Sequence, residues 1–64
     1  MLEETVEQRI DKVIKRTLDT HIANYIAANQ TGRERIADTV QEMLRFLIPT
    51  EYDTYWAYFR EGTQ

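Results

Sequence analysis

Residues that break helices are rare in this chain: its two glycines stand at positions 32 and 62, and its single proline at 49. From Leu2 to Ala28 nothing interrupts a helix, and apolar residues recur as Leu2, Val6, Ile10, Val13, Ile14, Leu18, Ile22, Tyr25 and Ile26. That spacing of three and four is the mark of an amphipathic helix. Glu3, Glu4 and Glu7 stand in the first two turns, where the positive end of the helix dipole favours acidic groups. One long helix over about residues 3–29 is predicted.

The apolar stripe of this helix does not stay on one line. At about 100° per residue from Leu2, Val6 to Ile14 fall within about 20–120°, whereas Leu18 to Ile26 fall within about 140–240°. The two halves are therefore expected to meet different neighbours.

"NQTGRER" ends the pattern. Gly32 suggests a helix terminus, and Thr31 with Glu34 has the spacing of a capping box, so a second helix is predicted over about 33–48. Ile36, Val40, Met43, Leu44 and Leu47 form its apolar face. Pro49 cannot continue a helix and disfavours helical geometry at Ile48. Thr50 with Asp53 then offers a new start. Tyr52, Tyr55, Trp56 and Phe59 share one arc of a short third helix over about 51–60, with Gly62 closing it ahead of a frayed tail. The fold class is all-α: a helical hairpin or three-helix unit in one small domain over residues 1–64, expected to dimerise into a bundle.

Length makes the dimer plausible. With 64 residues, a single core only marginally offsets the entropy of folding, and small domains rely on disulfides, metals or association. No Cys and a single His leave association or dense aromatic packing. At a rise of about 1.5 Å per residue the three predicted helices measure roughly 40, 23 and 15 Å, so the second reaches only the C-terminal half of the first. Either the third helix or a second copy must cover the remainder.

Composition narrows function mainly by exclusion. A net charge of −3 provides no general attraction to nucleic acid or an anionic membrane. The acidic, charge-broken N-terminus has no targeting character, and no apolar run approaches the roughly 18 residues that span a bilayer, so a cytoplasmic location without a membrane partner is expected. No phosphate-binding loop, nucleophile turn or metal-ligand spacing is present, and three short helices leave little room for a pocket. His21 adjoins Asp19 and Thr20, but adjacent helical residues diverge by about 100°, which makes His21 a core-edge residue with one hydrogen bond rather than part of a catalytic set. The expectation is a protein without enzymatic activity, catalytic residues, cofactor or metal.

Two surfaces stand out as candidates. The aromatic cluster supplies Tyr52, Tyr55, Trp56, Tyr58 and Phe59, to which Phe46 is added. Most of these belong to a core by default, but Tyr58 and Phe46 each lie about 60° outside the apolar arc of their helix, and exposed aromatics are enriched at interaction hot spots. The second candidate is basic: Arg9, Lys12 and Arg16 along one side of the first helix, with Arg33 and Arg35 near the loop. A solvated face accounts for these residues better than a phosphate-tracking one does, and an acidic protein partner is the third reading. The turn-like Gly32 invites comparison with a DNA-reading helix pair, but the aromatic third helix carries only Arg60 as a base and would read base edges poorly.

The sequence thus predicts a small regulatory or interaction protein that acts as a helical homodimer and binds a further protein partner of unknown identity. Two alternatives remain beside it: a nucleic-acid-binding helical dimer using the basic residues, and an oligomerisation module of a larger assembly.

Overall fold

The computed structural model describes residues 3–64; Leu2, the first residue of the predicted stripe, lies outside them. Among the described residues there are three α-helices, α1 (Val6–Ala27), α2 (Gln30–Leu47) and α3 (Tyr52–Gly62), with a 3-10 turn at Pro49–Glu51 between the last two. The all-α three-helix unit predicted from periodicity is the observed architecture, and its boundaries move for local reasons.

α1 starts at a capping box that the sequence pattern did not single out. The Thr5 hydroxyl accepts from the Gln8 amide at 3.1 Å, and Gln8 Oε1 accepts from the Thr5 amide at 3.0 Å. Such an N-cap contributes about 1 kcal/mol. Conversely, the predicted box at Thr31 and Glu34 does not form. Asn29 caps α2 instead, its Oδ1 accepting from the Gly32 amide at 2.9 Å, so Thr31 and Gly32 lie within the first turn. No glycine has positive φ, and the connection is the extended pair Ala28–Asn29.

Pro49 acts as expected at the end of α2, which stops at Leu47 with Ile48 out of helical geometry. Thr50 does not cap the next helix; it lies inside the 3-10 turn that bends the chain into α3. α3 extends past Arg60 to Gly62, because Gly62 sits against α1, and Thr63 beyond it is half-buried. The tail is therefore packed through Thr63 rather than frayed.

α1 and α2 form an antiparallel hairpin, and α3 contacts both. The particle measures 44 × 23 × 14 Å, elongated along α1. The core is small: Leu18, Val40, Leu44, Tyr55 and Phe59 are the buried hydrophobic residues. Ile14, Ile22, Tyr25, Ile36, Met43 and Trp56 are among the half-buried side chains around it. Tyr25 meets the Phe59 ring edge-on at 5.6 Å and Trp56 stacks on Phe59 at 5.3 Å, arrangements that the aromatic quadrupole favours.

The rotating stripe of α1 is matched in part: Ile14, Leu18, Ile22 and Tyr25 turn inward, whereas Val6, Ile10 and Val13 in the first half and Ile26 in the second remain exposed. Neither α2 nor α3 covers them.

Candidate functional site

The aromatic helix faces the core. Tyr55 and Phe59 are buried, and Tyr52, Trp56 and Tyr58 are half-buried. Tyr58 lies off the arc of the other four, as its spacing predicts, but α1 covers that side. Its hydroxyl donates to Asp19 Oδ1 at 2.6 Å, and Lys15 Nζ lies 5.6 Å from its ring centroid. Phe46 contrasts with these five at 83% exposure.

A polar seam that was not singled out in the sequence ties α3 to α1. Asp11, Lys15 and Asp19 recur every four residues and so line one edge of the helix. Tyr55 donates to Asp11 Oδ1 at 2.8 Å, while Lys15 Nζ lies 3.1 Å from Asp11 Oδ2. The Tyr55 hydrogen bond, followed by that from Lys15, lowers the Asp11 pKa below the ordinary carboxylate value. Burial, reinforced by the Asp11 carboxylate, pushes the Tyr55 phenol up to about 12. The bond to Asp19, followed by desolvation, raises Tyr58 in the same direction. Two tyrosines spaced i, i+3 opposite two carboxylates spaced i, i+8 were the available signal.

The basic candidates divide. Arg33 is committed to the end of α1: its Nε donates to the Tyr25 carbonyl at 3.2 Å and its Nη2 to the Ile26 carbonyl at 3.4 Å. It thereby brings a cation to the negative end of a helix that has no base in its own last turn. Lys12 pairs with Glu4. Arg9, Arg16 and Arg35 are exposed, and among the described residues they form no ion pair. His21 is half-buried at the core edge, and among the described residues its ring makes no hydrogen bond, unlike the single bond expected.

Besides Phe46, the large hydrophobic side chains that stay exposed are aliphatic. On α2, Met43 and Leu47 lie on the side toward α1, and Ala37 and Gln41 on the side toward α3. Between α1 and α2 an apolar groove of about 200 Å³ runs along Val13, Ile14, Thr17, Met43, Leu47 and Ile48. Val13 is 62% exposed and Leu47 is 73% exposed. Val6 and Ile10 continue the surface toward the N-terminus of α1, and Phe46 flanks it on α2. Polar lining is nearly absent, so the groove can bury apolar surface but offers no set of groups for bond making.

Among the described residues no group of three or more His, Cys, Asp or Glu is placed to hold a metal ion, and no helix is long and apolar enough to cross a membrane. Comparison with protein-family models, curated proteins and solved structures finds no match in any of the three.

Proposed function

We propose that this chain is a small, non-enzymatic interaction protein of the cytoplasm that works as a helical homodimer and, in that form, engages a further protein in a regulatory role. One observation carries this: Val6, Ile10, Val13, Phe46 and Leu47 are exposed large hydrophobics beside a groove that is already apolar. Scattered apolar residues on a surface need no explanation, but a contiguous patch on so small a domain favours association. The five-residue core strengthens the case, because a domain of this size gains from burying more.

Sedimentation at micromolar concentration tests the proposal. The wild-type protein is expected to sediment as a dimer, and Val13→Glu or Leu47→Glu to give a folded, helical monomer. A wild-type chain that is fully folded and strictly monomeric overturns the dimer.

The nucleic-acid alternative rests on Arg9 and Arg16, two exposed cations two helical turns apart on α1. It is the weaker of the two, since Arg33 and Lys12 have partners within the chain. A duplex-binding signal that falls with salt and disappears in Arg9→Glu/Arg16→Glu supports it; no binding at low salt removes it.

A further inference from the structure

Resting on the self-association just described, we propose that the second copy docks about a two-fold axis parallel to the helices, so that α1 of each subunit lies antiparallel along α2 of the other. The outer edges of the hairpin carry the information. On α1, Arg9 and Arg16 are seven residues apart and share one edge of the exposed face that contains Val6 and Val13. On α2, Glu42 occupies the outer edge, one turn before the exposed Phe46. Because Val13 and Thr17 share a groove with Met43 and Leu47, Arg16 and Glu42 stand at nearly the same height on opposite edges.

A closed dimer uses the same face twice, and of the in-plane axes that bring hairpin face to hairpin face only two keep the helices of the two copies aligned. An axis across the helices lays α1 on α1. The Arg9 and Arg16 edge then opposes its own copy, which like-charge repulsion disfavours. An axis along the helices preserves height and exchanges the edges. Arg16 then meets the partner's Glu42, the contact occurs twice, and Phe46 falls on the partner's Ile10 and Val13. Arg45 turns to the Tyr52 ring of α3, so Arg35 is the cation left on the α2 edge, and it lies close to the level of Tyr25, which contacts Arg33. There it faces the uncharged Ala23 and Asn24 of the partner's α1. Flanking charge of this kind selects orientation in paired helices while the apolar seam supplies the affinity.

The chain contains no cysteine, so cross-linking can be confined to chosen positions. Arg16→Cys and Glu42→Cys proteins, carrying tags of different length, are mixed and oxidised. The mixed disulfide is expected to exceed both like-with-like products. Charge reversal provides the second measurement: Arg16→Glu and Glu42→Arg are each expected to weaken the dimer about tenfold, twice the effect of one exposed pair, and the double variant to recover most of the loss. A dimer in which the Arg16→Cys protein links mainly to itself, or in which no mixed product predominates, overturns the arrangement but leaves self-association standing. A monomeric wild-type protein overturns both.

Discussion

The phenolic oxygen of Tyr58 lies 2.6 Å from Asp19 Oδ1, joining residues 39 positions apart and fastening the outer side of α3 to α1. The bond is at the surface, whereas the adjacent Phe59 fills the centre of the core. Two substitutions one residue apart should therefore differ sharply. Phe59→Ala costs about 3–5 kcal/mol, a large share of the roughly 3–10 kcal/mol expected for a domain of this length. It is expected to leave the chain largely unfolded at physiological temperature by circular dichroism. Tyr58→Phe keeps the ring and loses one exposed bond, so it should retain full helicity with a slightly lowered Tm. Equal damage from both would show that α3 is held by its polar seam.

Asp11 couples the same seam to acid. Its folded-state pKa lies below the ordinary value of 3.8, so the folded protein binds this proton less readily than the unfolded chain does. The stabilisation is complete above the ordinary value and is lost as pH falls through the lower folded one. Urea midpoints should therefore decline from about pH 4 downward. Asp11→Asn should flatten that decline and lower the midpoint at neutral pH. An unchanged acid limb in the variant would assign the decline to other carboxylates.

At the alkaline end the sign is reversed. Tyr55 is raised to about 12 from an ordinary 10.0, so the folded chain retains the proton after the unfolded chain has released it. Its contribution is complete below pH 10 and is lost as pH climbs toward 12. Tyrosinate absorbance should show Tyr55 titrating late and together with loss of helicity. Tyr55→Phe should remove the late component; a variant with the same late component would place it on another tyrosine.

These seams show what periodicity could and could not supply. Three helices followed from residues 2 to 28 free of Gly and Pro, from Pro49 and from the 52, 55, 56, 59 spacing, because those signals act locally. Capping was harder to place: Asn29 and Thr31 are both competent caps within one short stretch, and the choice fell to Asn29, whose Oδ1 reaches the Gly32 amide. The inward face of α3 was legible for Tyr55 and Phe59, which both lie on its apolar arc. Tyr58 was not legible, since its burial depends on α1 presenting Asp19 and Lys15 from nearly forty residues away. Phe46 sits off-arc in the same way but has no such neighbour, and it stays exposed.

Gly62 supplies a last prediction, one that runs against helix propensity. It is the final residue of α3, and a β-carbon built there would lie 2.5 Å from Ile22 Cδ1 and 3.2 Å from both Cγ atoms of Ile22. In an unhindered helix Gly→Ala stabilises by up to about 1 kcal/mol. Here the added methyl must displace a half-buried Ile on α1, and overpacking of this kind costs about 1–3 kcal/mol. The steric term is the larger, so Gly62→Ala should lower Tm. Ile22→Val removes Cδ1, the atom that would be struck first. The double variant Gly62→Ala/Ile22→Val should therefore be more stable than the sum of the single effects predicts, a coupling that a double-mutant cycle of urea midpoints measures directly. Strict additivity would mean that α3 shifts away from Ile22 at little cost, and that its C-terminal turn is held less tightly than this close approach implies.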